Sequence, residues 1–435
     1  MKAKYLVIIG LLAATFAACS RDEESLFDKP AAIRAQEAID NALDVLTSAE
    51  NGWEMAYFPN LEASAKGYNM VLKFSKNGNV SVTAKNSATT ANKIMTDTAS
   101  TWAVKSDYGP ILTFDTYNDV FHAFSDPKEN GAGLLGDYEF LILKATPELV
   151  LLKGKKHSAY TVMRPMKNTD LAAYFTACEK MQSKLFGNNN IVTLTQGDNK
   201  MYLYNGAEGQ FQSAAYGSPL VAEAATYHPV CSTEDGIIVS MGFGEDIHDH
   251  IFYYNEEKGE LKSEQGAVMN AGNLNVLFGA YFTDNALGWA VDYAGQEAVE
   301  ELLSAVNTAM NNTSAKMKVM GYGYKQSLNM YEGGYFLLIN FTYKQGKKNQ
   351  EKKLVWTVDL TQDESGITVA NAVPYDKNTE TFLEKQIPAA QAVADLMLGS
   401  FSAASLEGNL FNAAAGMKLV GEKELIVRGA NNIKM

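Results

Sequence analysis

From Tyr68 to Phe74 the larger apolar side chains fall on every second position: Tyr68, Met70, Leu72 and Phe74. Asn77-Gly78 follows, and Val80 and Val82 resume the same alternation. A period of two with an Asn-Gly step between its halves specifies a β-hairpin with one buried face. The pattern recurs at Pro110–Thr116, Phe121–Phe124, Tyr138–Lys144 and Leu149–Lys153, with turn chemistry at Ser125-Asp126-Pro127 and Thr146-Pro147-Glu148. Short strands at this spacing predict an antiparallel sheet curled into a barrel or sandwich over residues 53–166.

Helical spacing appears between the strand series. Ile33, Ile39, Leu43 and Leu46 predict a helix over 31–49, with Pro30 in its first turn, Asp28 near its cap and Gly52 closing its end at positive φ. Leu171, Tyr174, Phe175, Cys178, Met181 and Leu185 form a second stripe over 170–186. Strands are then expected at 191–195, 200–204, 237–241 and 250–254, and a third helix at 296–310. More strands follow at 315–325, 335–343, 353–360 and 367–373, then a helical stretch over 379–398 broken at Pro388 and a terminal hairpin of 417–420 with 424–427. The fold class is a β-rich α+β protein of antiparallel barrel- or sandwich-like sheets with a few flanking helices. Residues 30–168 and 169–435 read as two related β-rich halves.

The first residues do not belong to that fold. Lys2 and Lys4 precede an apolar run from Tyr5 to Phe16 and the small pair Ala17-Ala18, the pattern of a signal peptide over 1–18. The run is shorter than the roughly 20 residues that a helix needs to cross a bilayer. Cys19, directly after the small pair, reads as the acylated residue of a lipoprotein, with 19–29 as a solvated tether. The alternative is ordinary cleavage with Cys19 incidental. Removing 1–18 takes away Lys2 and Lys4 and no acid, which leaves 35 basic against 50 acidic residues. That surplus disfavours nucleic acid and anionic headgroups as partners.

Chemistry-bearing motifs are sparse. The sequence holds no HExxH, Cys-x-x-Cys, G-x-S-x-G or phosphate loop, and no G-x-G-x-x-G directly after a strand. On a strand, Asp246, His248 and His250 would share a face, so the two imidazoles and the carboxylate are a candidate zinc site. The plainer reading is a polar strand start. Tyr202, Tyr204, Tyr253 and Tyr254 are candidates for an aromatic platform that stacks on sugars, although tyrosine also packs readily in sheets. Cys178 and Cys231 are expected as unpaired thiols, Cys178 on the apolar face of its helix. No catalytic residue is assigned.

Several segments together carry a resemblance: Cys19–Glu24, Leu46–Trp53 leading to Tyr57-Phe58-Pro59, Ser106–Asn118, Phe124–Pro127, Gly136–Phe140 and Leu152–Lys156. They resemble the Bacteroidetes lipoprotein family called domain of unknown function 4302. The resemblance is densest over 20–166 and supplies no catalytic residue. It implies an outer-membrane lipoprotein beside a TonB-dependent uptake system, with Asp22-Glu23-Glu24 similar to a surface-export signal that Arg21 interrupts. The functional expectation is therefore a lipid-anchored accessory protein that binds a nutrient, glycan or protein partner. A carboxylate hydrolase, a metal-dependent enzyme and a purely structural envelope protein are the alternatives.

Overall fold

The computed structural model describes residues 29–61, 66–186, 191–207, 209–218, 226–243, 247–282, 288–311, 314–324, 334–385, 387–407 and 416–430. These form three closed antiparallel rings of eight strands each, in which every strand pairs with its sequence neighbour and the last returns to the first.

The first ring comprises β1 (Trp53–Tyr57), β2 (Tyr68–Phe74), β3 (Asn79–Ala84), β4 (Met95–Ser106), β5 (Pro110–Phe114), β6 (Glu139–Ala145), β7 (Val150–Gly154) and β8 (Tyr160–Pro165). It closes by pairing Trp53 with Pro165. Met55, Leu72, Val82, Leu112, Phe140, Leu152 and Met163 fill its interior. That suits a ring of this size, just wide enough for side chains. Gly52 and Gly78 both take φ of +85°, a left-handed conformation that costs glycine little, as the turns before β1 and β3 require. The second ring runs through β9 (Ile191–Gln196), β10 (Asn199–Ala207), β11 (Gln210–Ala215), β12 (Thr226–Thr233), β13 (Gly236–Val239), β14 (Ile251–Asn255), β15 (Glu260–Ser263) and β16 (Val268–Ala271), closing Val268 on Thr195. The third comprises β17 (Gly288–Val291), β18 (Lys316–Tyr324), β19 (Tyr335–Gln345), β20 (Lys348–Asp363), β21 (Gly366–Pro374), β22 (Gly399–Glu407), β23 (Gly416–Val420) and β24 (Glu424–Ala430), closing Ala290 on Arg428.

The helices fill ends and seams. α1 (Ala31–Leu46) buries Ala42, Val45 and Leu46 against the first ring, and the Trp53 indole donates to the Leu46 carbonyl at 2.9 Å. α2 (Leu171–Phe186) starts on Asp170, whose carboxylate accepts the amides of Ala172 and Ala173 at 2.9 and 3.1 Å. It buries Tyr174, Phe175 and Cys178. α3 (Leu274–Phe282) and α4 (Glu297–Ala309) serve the third ring together with α5 (Lys377–Lys385) and α6 (Ala389–Leu396), and the break between the last two falls at Pro388 as expected.

The barrel-like antiparallel fold with flanking helices is thus the observed one. The stretch 169–435, read from sequence as one β-rich unit, contains two rings. Phe121–Phe124, read as a strand, is instead a turn with a 3-10 segment at His122–Phe124. The reason is Asn118, whose side-chain oxygen accepts the amides of Val120 and Phe121 at 3.1 and 3.0 Å and winds the chain before it can extend. Asp28 lies outside the described residues.

The first two rings meet along a tight seam. Ala56, Phe58, Ala159 and Val162 pack on Cys231 and Ile238. The Gly67 amide donates to the Val230 carbonyl at 3.0 Å, and a Cβ on Gly67 would lie 2.4 Å from that of Cys231. Ser240 both receives the Tyr160 amide, at 3.1 Å, and donates to its carbonyl, at 3.0 Å.

Candidate functional site

The first ring ends, beside Tyr57, in a cleft built by the connection between β5 and β6. Phe121 and Phe124 turn inward and meet the Tyr57 ring edge-on at 5.1 and 5.2 Å, which seals the barrel. His122 lies between Tyr117 and Tyr138, with ring centroids 5.3 and 5.1 Å apart and planes inclined by 30° and 33°. Its Nδ1 accepts the Asn118 amide at 3.0 Å, so the proton sits on Nε2, which donates to the Phe114 carbonyl. Burial holds the imidazole below the usual histidine range despite that bond and the nearby Asp126 and Asp97. It is a neutral spacer that fixes two outward tyrosines, 52% and 45% exposed at Tyr117 and Tyr138.

The opposite wall comes from the turn after β7. Asp137 accepts the amides of His157 and Lys156 at 2.8 and 3.2 Å, and a Cβ on Gly154 would lie 2.1 Å from its carboxylate. Burial nevertheless raises the Asp137 carboxyl above its ordinary value, with the two amides pulling the other way. Lys155 reaches Asp107 at 3.0 Å and Glu139 at 3.4 Å, and the bond to Asp107 leads in raising its ammonium. Across the cleft the Tyr117 hydroxyl donates to Asp126, which pushes that phenol up to about 12.

The cleft encloses about 650 Å³, lined by Tyr117, His122, Asp126, Tyr138, Lys155 and His157 among others. Its three carboxylates are each engaged: Asp126 by a phenol, Asp137 by backbone amides and Glu139 by an ammonium. What the site presents is ring surface within a polar rim, an arrangement suited to holding a hydroxyl-rich ligand.

The residues nominated from sequence lie elsewhere. Tyr202 and Tyr204 are buried in the core cluster that joins the second ring to α3 and the third ring, so they offer no open stacking face. Tyr253 stacks beside Arg164, with the guanidinium 5.6 Å from the ring centroid. Tyr254, with Lys184 4.5 Å over its ring, lines a recess of about 360 Å³ with Leu185, Phe211 and Met269. His248 and His250 precede β14 in irregular chain, so strand alternation does not align them. His248 is exposed, while His250 binds the Val239 carbonyl through Nδ1 at 2.9 Å. Asp246 lies outside the described residues. Among the described residues no three histidine, cysteine or carboxylate side chains gather as a metal site. His228 spends both nitrogens, on the Gly242 carbonyl at 2.9 Å and the Ser213 hydroxyl at 2.8 Å. Cys178 and Cys231 are free buried thiols, and burial pushes both well up.

Sequence reasoning missed Tyr117 and Tyr138. Asp115, Asn118 and Asp126 mark a turn around Tyr117 and the Phe121–Phe124 cluster, but no residue pattern marks either ring as open to solvent.

The fold and cleft define a class: a tandem of closed β-rings with a rigid aromatic recess at the end of the first. The chain belongs to the domain of unknown function family DUF4302, whose model matches residues 23–248. The match spans the whole first ring and the cleft, and ends before β14. No curated protein matches the chain.

Proposed function

We propose that this chain is a lipid-anchored accessory protein of the cell envelope, acylated at Cys19, that uses the first-ring cleft to bind a glycan beside a TonB-dependent uptake system. The observation that carries the binding reading is the pair of outward tyrosines, Tyr117 and Tyr138, held by a neutral His122 above a rim of engaged polar groups. Exposed rings that are rigidly supported lose little conformational freedom when a sugar stacks on them. The carboxylates favour binding over hydrolysis, since each is already tied to a neighbour. The anchor rests on Lys2, Lys4, the apolar run to Phe16 and Cys19. Placement at the outer membrane, exposed at the surface, rests on the resemblance of Asp22-Glu23-Glu24 to an export signal.

Two measurements test the reading. Mass spectrometry of the native protein is expected to find a diacylglycerol thioether on Cys19, and an intact Met1 would refute the anchor. Glycan-array binding is expected for the wild type and lost in the Tyr117→Ala/Tyr138→Ala variant. Equal binding by both would refute the cleft as the site.

A further inference from the structure

Tyr108 is 100% exposed at the tip of the β4–β5 hairpin, yet that tip is held in place. The Asp107 amide donates to the Gly109 carbonyl at 3.0 Å, closing a tight turn that Pro110 leaves as β5 begins. Asp107 is bound to Lys155 at 3.0 Å, and Lys155 is also bound to Glu139, the residue after Tyr138. One ammonium therefore ties the hairpin tip to the wall of the aromatic cleft through Asp107, the residue next to Tyr108. A large ring with no packing partner contributes nothing to the folded ring beneath it, and a hairpin tip ordinarily carries small polar residues.

We propose that Tyr108 is an outer subsite of the cleft, and that the ligand is a linear oligosaccharide running from Tyr117 and Tyr138 past Lys155 onto Tyr108, rather than a single sugar. This rests on the glycan reading of the cleft. The inner rings grip one end, and the clamped Tyr108 adds a stacking surface that only a longer chain reaches.

The test uses the full-length protein in detergent with linear oligomers of glucose, mannose, xylose and N-acetylglucosamine, graded from monomer to hexamer. For the series that binds, affinity is expected to rise with length. Tyr108→Ala is expected to weaken hexamer binding roughly 3- to 10-fold, the range of one aromatic contact, and to leave the shortest binding oligomer unchanged. Tyr138→Ala is expected to weaken every length. If Tyr138→Ala weakens all lengths while Tyr108→Ala weakens none, the outer subsite is overturned and the cleft stands. If no series binds, or neither variant alters binding, the cleft reading falls and the subsite with it.

Discussion

Arg164 is the group on which the seam between the first two rings depends. Its guanidinium reaches Glu54 at 2.6 Å and Asp235 at 2.8 Å, with side-chain exposures of 8% for Arg164 and 7% for Glu54. Burial raises Glu54 above its ordinary value even with Arg164 beside it. Burial also pushes Asp235 upward, but Arg164, Thr233 and Lys167 together bring it below its ordinary value. Arg164→Met keeps much of the packing volume and strands Glu54 as a buried carboxylate. Removing one member of such a pair costs about 3–5 kcal/mol. At ~2–4 °C per kcal/mol for a cooperative unit of this size, the first thermal transition falls by about 6–20 °C. Glu54 in the variant has a folded pKa raised further above its unfolded value of about 4.3. Its protonated form then supports folding at low pH, and that support disappears as pH rises through the folded value. The deficit relative to wild type, followed by circular dichroism, is therefore expected to shrink as the pH is lowered from 7.5 toward the unfolded carboxylate value. Glu54→Gln/Arg164→Met is expected to recover most of it at pH 7.5. A variant melting within 2 °C of wild type, or a deficit that grows on acidification, would refute this account of the seam.

Two further outcomes follow from the same kind of reasoning. Burial holds His228 down at about 4, so it is neutral in the folded chain; the stability this gives is present above the unfolded value of about 6.5 and lost as pH falls toward 4. His228→Gln is expected to remove that acid sensitivity from the denaturant midpoint, a difference of about 3 kcal/mol across the window. Gly154→Ala forces a methyl group against the Asp137 carboxylate and is expected to cost about 1–3 kcal/mol and weaken glycan binding, both readable by thermal shift with and without ligand.

Local pattern made the hairpins legible. Tyr68–Phe74 with Asn77-Gly78 and Val80–Val82 forms the β2–β3 pair in the register that the alternation implies, Leu72 opposite Val82. Ring number was not legible, because closure joins residues as distant as Trp53 and Pro165, a pairing that no window contains. Gln210–Ala215 has a single large apolar residue, Phe211, and gives no alternation to read. Apart from Asn275, α3 is apolar around its circumference, so it lacks the stripe that marks a surface helix. Tyr202 and Tyr204 do share one face of their strand, pointing away from Leu203 in the ring core. A sequence reports that face as outward and cannot report that the third ring covers it. Tyr117 was hidden differently: its neighbours announced a turn, and turns by themselves say nothing about a ring held open to solvent.

Ring closure also sets a schedule. In each barrel the seal is made by the strand that leaves the ribosome, or any export channel, last: β8, β16 and β24. Until residue 165 is free, β1 has no second neighbour, and the first barrel remains an open sheet with unpaired edges. Contacts this distant in sequence make for slow folding, on the scale of milliseconds to seconds in smaller β-proteins. A chain that delays its own locking in this way stays pliable until the last strand of each ring is free, and becomes rigid one ring at a time.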